Sequence, residues 1–162
     1  MSSRPRALGV IIVACGVLLG VLPALPWYGT SLPTGTASLS GYGAGGALWI
    51  LPVIGAALVV TGLLAVWWMA PPGTRSARVL GGATILWAVL GVAWGSLVAL
   101  SPRVTVVAVR AGLPDSPLAG DWSVAVLPPA WAGLAAAALA GMAGILLMTP
   151  RPGVTAPDAP DS

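Results

Sequence analysis

The chain has 162 residues, 57% of them hydrophobic and 7% charged, with a mean hydropathy of +0.96. An average soluble domain carries about 25% charged residues, so this composition cannot cover a surface in water. The charges are seven Arg and four Asp, without Lys, Glu or His, which excludes histidine-dependent catalysis. With a single cysteine it also leaves no plausible zinc or iron ligand set, and no cofactor is expected.

In chain order, residues 1–6 carry Arg4 and Arg6 and precede the first of four uncharged apolar stretches, 7–26, 47–69, 79–100 and 128–148. A hydrocarbon core about 30 Å thick needs roughly 20 apolar helical residues to cross it. The stretches are apolar on every face, whereas barrel strands would be about 10 residues long and alternate in polarity. The sequence therefore predicts an all-α membrane protein, a four-transmembrane-helix bundle whose environment is the lipid bilayer. Pro26, Pro71-Pro72-Gly73, Ser101-Pro102 and Pro128-Pro129 punctuate the ends of the spans. Trp27, Trp49, Trp67, Trp68, Trp122 and Trp131 fall near the expected interfaces, and Trp27 and Tyr28 suit the headgroup layer.

Within the first stretch, Ile12-Val13-Ala14-Cys15 fits a lipoprotein processing box that would make Cys15 a lipidated N-terminus. Residues 16–26 stay apolar beyond it, where a mature lipoprotein turns polar, so an uncleaved span is the expectation. The spans contain few polar side chains, chiefly Cys15, Thr61, Thr84 and Ser96, each able to bond back to its own helix. Proton or cation coupling in a membrane normally uses an ionisable residue, and the spans have none. Gly16 and Gly20 form one GxxxG, Gly91 and Gly95 another, and Gly133, Ala137 and Gly141 a small stripe on the fourth span. Small residues let helices approach closely in lipid. Packing within the bundle is the favoured reading, over docking to a membrane-protein partner or a second copy. Trp87 and Trp94 share a face of the third span, either filling the bundle or lining an apolar groove between spans three and four.

The connections 27–46 and 101–127 are longer than a bundle requires. Residues 104–109, Val-Thr-Val-Val-Ala-Val, read as a strand, and residues 34–42 as its partner in a small outer sheet. The 104–109 run could instead lie on the membrane surface, with Arg103 and Arg110 at lipid phosphates. Asp115 and Asp121 are the only acids there, too few oxygens for a calcium site.

Placing the N-terminus inside puts five arginines (Arg4, Arg6, Arg75, Arg78, Arg151) on the cytoplasmic side and only Arg103 and Arg110 outside. Both termini are then cytoplasmic, in the cell membrane. The Pro/Asp-rich tail 149–162 is expected to be disordered. The dispersed arginines form no basic patch of the kind that nucleic-acid binding begins from, and no nucleic acid is expected.

Pro26-Trp27-Tyr28 leaving the first span, Ser40-Gly41-Tyr42 before the second, and the β-branched segment after the third resemble the tryptophan-associated transmembrane proteins of high-GC Gram-positive bacteria. The resemblance covers residues 7–148; the tail departs from it, being Pro/Asp-rich rather than basic. It implies a four-span membrane protein encoded beside tryptophan-biosynthesis genes, and carries over no activity and no functional residue. The expected role is a non-catalytic packing subunit, accessory subunit or scaffold. The alternative is a transport or lipid-handling component using the groove between spans three and four.

Overall fold

The computed structural model describes residues 4–32, 35–42, 48–68, 74–100 and 123–149. Four helices, α1 (Arg4–Val21), α2 (Ile50–Trp67), α3 (Arg75–Leu100) and α4 (Pro128–Met148), are each long and apolar enough to cross a membrane. They fit a multi-pass membrane protein. Backbone groups in lipid must be satisfied within the segment, and a helix does so regardless of side chain. The absence of side-chain caps on α2 and α4 is therefore tolerable.

Proline sets several of the ends. Pro128 and Pro129 open α4, where a missing N–H costs nothing, and Leu127 before them is extended, as a residue preceding proline prefers. After α1 the chain makes one 3-10 turn, Leu22–Ala24, and Leu25, preceding Pro26, is again extended. Pro52 sits in the first turn of α2, where the helix continues through it. At the start of α3, Thr74 Oγ1 accepts from the Ala77 N–H at 3.3 Å, an N-cap. That cap lets α3 begin at Arg75, ahead of the apolar stretch 79–100; apolarity marks what lipid accepts, and the charged first turn extends past it.

The helices pack as two antiparallel pairs, α1 with α2 and α3 with α4, joined through α1–α4 and α2–α3 contacts. Buried residues recur at helical spacing. On α3 they are Ala77, Leu80, Gly81, Thr84, Ala88, Gly91, Gly95 and Ala99; on α4 they are Ala130, Gly133, Ala136, Ala137, Ala140, Ala143, Gly144 and Leu147. The two buried threonines bond to their own helices, Thr61 Oγ1 to the Ala57 carbonyl at 2.6 Å and Thr84 Oγ1 to that of Leu80 at 2.8 Å. Cys15 is buried within α1.

At the end where α1 and α3 finish and α2 and α4 begin, the two long connections build a three-stranded antiparallel sheet, ordered β2-β1-β3. Its strands are β1 (Pro26–Leu32), β2 (Gly35–Ser40) and β3 (Ser123–Val126). An outer sheet built from both connections is thus present, and the expected pairing of residues 34–42 with 104–109 falls outside the described residues. Residues 34–42 supply β2, but it folds back on β1 as a hairpin, from Pro26↔Ser40 to Leu32↔Gly35. The second connection contributes Ser123–Val126, paired with β1 from Tyr28↔Val126 to Ser31↔Ser123. A local hairpin closes a shorter loop than pairing across two helices, at lower entropic cost. The 104–109 run, Arg103, Arg110, Asp115, Asp121, Trp122 and residues 150–162 lie outside the described residues.

One expectation about the aromatic belt is corrected. Trp49, Trp67, Trp68 and Trp131 are exposed, as interfacial residues should be, but Trp27 is 1% exposed and Tyr28 2%. The chain turns into β1 immediately after Pro26 and folds both rings inward between the sheet and the helix ends.

Candidate functional site

The sharpest local geometry lies where glycine backbones meet. A Cβ at Gly55 would stand 2.5 Å from the Gly16 carbonyl oxygen and 3.0 Å from the Gly20 nitrogen; one at Gly16 would stand 2.6 Å from the Gly55 oxygen. Two turns away the arrangement repeats. A Cβ at Gly62 would be 2.8 Å from the Gly9 oxygen, and one at Gly9 2.9 Å from the Gly62 oxygen. Gly9 and Gly16 are seven residues apart on α1, as Gly55 and Gly62 are on α2. At about 100° per residue, seven steps fall only some 20° short of two full turns, so both contacts stay on one seam. Dispersion and Cα–H···O contacts hold such a seam in lipid.

The α3–α4 seam is different. Gly81 and Gly144 meet backbone to backbone, each hypothetical Cβ within 2.9 Å of the other's carbonyl oxygen. Further along, the neighbours are side chains: Gly141 faces the Ala88 Cβ at 3.2 Å, Gly91 faces Ala137 at 3.4 Å, and Gly95 faces Leu134 Cδ2 at 2.9 Å. Beside this part of the seam a groove of about 380 Å³ opens between α3 and α4, with Ala88, Val92, Ala93, Ala138, Gly141 and Met142 among its walls.

Each small residue singled out from the sequence can now be placed. Gly16 lies at a backbone contact with α2. Gly20 does not pack in the same way: a Cβ there would meet nothing within 4 Å, although its own nitrogen lies under Gly55. Gly91, Gly95, Ala137 and Gly141 lie along the α3–α4 seam, whereas Gly133 faces the Trp27 ring, 3.7 Å from its hypothetical Cβ. Gly9, Gly55, Gly62, Gly81 and Gly144 were missed. The signal for three of them, Gly9, Gly55 and Gly62, lies in seven-residue spacing on α1 and α2, which the four-residue GxxxG pattern does not capture. Trp87 and Trp94 pack against the hydrophobic core and do not line the groove. At about 100° per residue they fall on one flank of the buried stripe of α3, while Ile85 and Val92 fall on the other.

The sheet is bolted to the bundle by its two inward rings. Trp27 Nε1 donates to the Leu22 carbonyl at 2.8 Å, and Tyr28 Oη donates to the Val98 carbonyl near the end of α3 at 2.7 Å. Burial pushes the Tyr28 phenol above its ordinary pKa, which keeps it a neutral donor. Leu127 N–H donates to the Trp27 carbonyl, tying β1 to the start of α4. The two short motifs, Pro26-Trp27-Tyr28 and Ser40-Gly41-Tyr42, meet at one corner. Gly41 N–H reaches the Leu25 carbonyl and Tyr42 N–H that of Pro23, both at 3.3 Å, and Tyr42 Oη donates to the Gly20 carbonyl at 3.2 Å. A Cβ at Gly41 would stand 2.8 Å from the Pro23 oxygen, so this corner accepts only glycine. Beneath Trp27, between Gly91, Gly95 and Gly133, the packing leaves a void of about 10 Å³, about the least that holds one water.

No protein-family model matches the chain, and no curated protein matches it.

Proposed function

We propose that this chain is a non-catalytic accessory or scaffold subunit of the cell membrane, akin to the tryptophan-associated transmembrane proteins, with both termini cytoplasmic. The observation that carries this reading is how the inward surface is used. Glycine seams, the Trp27 and Tyr28 rings and two self-bonded threonines occupy it, and the space left beneath Trp27 is about that of one water. Such an interior supports a packing role over passage of a solute. Five arginines against two across the proposed sides support the orientation. Affinity purification of the full-length protein from native membranes in mild detergent tests the role. A stoichiometric membrane-protein partner or a defined homo-oligomer is expected, and bare monomer alone would count against it.

The groove between α3 and α4 supports a second reading, a lipid-handling component, in the place where the sequence suggested one. Its test moves from Trp87 and Trp94 to the groove walls. Ala138→Trp, which fills the groove from an exposed position, is expected to abolish lipid uptake or binding on this reading and to leave the accessory role intact on the first.

A further inference from the structure

Four tryptophans lie exposed at two levels of the bundle. Trp49, the N-cap of α2, and Trp131, at the start of α4, stand at the sheet end; Trp67 and Trp68 close α2 at the other. Trp67 comes eighteen residues after Trp49. On α4, eighteen residues after Trp131, stands the exposed C-cap Thr149, whose Oγ1 donates to the Leu146 carbonyl at 3.1 Å. At about 1.5 Å per residue, each interval spans about 27 Å. Since α2 and α4 stand at opposite corners of the bundle, the interval describes a girdle and not one helix.

Between the two rims the outward side chains are aliphatic, among them Val53, Val60 and Leu63 on α2 and Leu139, Met142 and Leu146 on α4. Neither interval contains a charge. The 26-residue α3 is longer, but its surplus is a first turn with Arg75 and Arg78, whose long side chains reach outward. From Arg78 to Val98, where the carbonyl takes the Tyr28 hydroxyl, α3 covers about 30 Å. The sheet adds a stop at its end of the girdle, because strand edges do not enter hydrocarbon facing lipid. The bundle therefore cannot slide towards that side to hide a mismatch.

We propose that this girdle fits a thin, sterol-poor bilayer with a hydrocarbon core of about 27 Å. The proposal rests on the multi-pass reading of the four helices and adds to it the kind of bilayer they fit. Indole rings settle at headgroup level. A sterol-rich bilayer, with a core of about 32 Å, would draw the rings at one rim or both into hydrocarbon. Tilting does not help, since a tilt of about 20° shortens the projected girdle to about 25 Å. A thicker bilayer would have to thin around the protein instead.

The test is competition between lipids for the surface of the full-length protein. It is reconstituted into vesicles of dimyristoleoyl-, dioleoyl- or dierucoylphosphatidylcholine, with cores thinner than, close to and thicker than the girdle. Each is mixed with brominated dioleoylphosphatidylcholine, which quenches tryptophan fluorescence where it touches the protein. Dioleoyl chains should displace the quencher best, and dierucoyl chains about twofold less well. Val60→Arg sets a charge on an exposed position about 10 Å inside the Trp67 rim. It shortens the girdle and should move the preference to dimyristoleoyl chains. In wild type, which needs no variant to fold, equal competition or any order without dioleoyl first would overturn the proposal. So would an unchanged order in folded Val60→Arg. Absence of quenching in every mixture would mean that the helices do not meet lipid, and would remove the multi-pass reading together with this one.

Discussion

The α1–α2 and α3–α4 pairs are built from similar residues and pack differently. On α1 and α2, glycines seven apart on both helices bring backbone to backbone at two levels, Gly16 with Gly55 and Gly9 with Gly62. On α3 and α4 only Gly81 and Gly144 do so; from there Ala88, Ala137 and Leu134 take up the space and a groove opens alongside. Close approach is therefore a property of paired registers. A small residue permits it only where the facing helix also presents backbone at the same level.

The largest effect should come from breaking the closer pair. Gly55→Val places a branched side chain against two backbone atoms of α1 that no rotamer change can move. It should cost about 3 kcal/mol, the upper range for overpacking, read as a loss of stability in a detergent unfolding titration. Gly81→Ala tests the weaker seam. Its Cβ meets the Gly144 carbonyl at 2.6 Å but also the flexible Met148 side chain at 2.5 Å, so about 1–2 kcal/mol is expected by the same measurement. Tyr28→Phe removes the hydrogen bond that ties the sheet to α3 and should cost about 1 kcal/mol, with faster amide exchange in β1 and β3 than in α1 or α2. The same phenol gives a pH readout. Because its folded pKa is raised, the stability it contributes is present below the ordinary tyrosine range and is lost as pH rises through the folded value. In a Tyr42→Phe background, absorbance at the phenolate band should accordingly rise later than for free tyrosine. Smallest is Gly20→Ala, where a Cβ meets open space. It should be neutral or stabilise by about 0.5 kcal/mol through helix propensity, although the sequence presents Gly20 as the equal of Gly16.

That last contrast shows where sequence reading stopped. Both glycines of a GxxxG are visible, but four residues advance about 40° around a helix beyond one turn, so a chain of such steps drifts off the buried face. Gly20 and Gly141 sit at that drifting edge, while Gly9, Gly55 and Gly62 hold the seam by seven-residue spacing. The Trp27 placement failed for another reason. Interfacial tryptophan is the ordinary case after a span, and only the turn into β1 sends this one under the sheet.

What the sequence by itself determined was the number of spans, their approximate bounds and the presence of structure in the two long connections. Those follow from length and apolarity, which are local properties. Tertiary structure alone decided that residues 26–40 form a hairpin, that Ser123–Val126 joins it, that Trp27 and Tyr28 turn inward, and which glycines touch. Each of these depends on which residue stands opposite which, and in a chain whose spans are apolar on every face, the sequence carries little that marks one face from another.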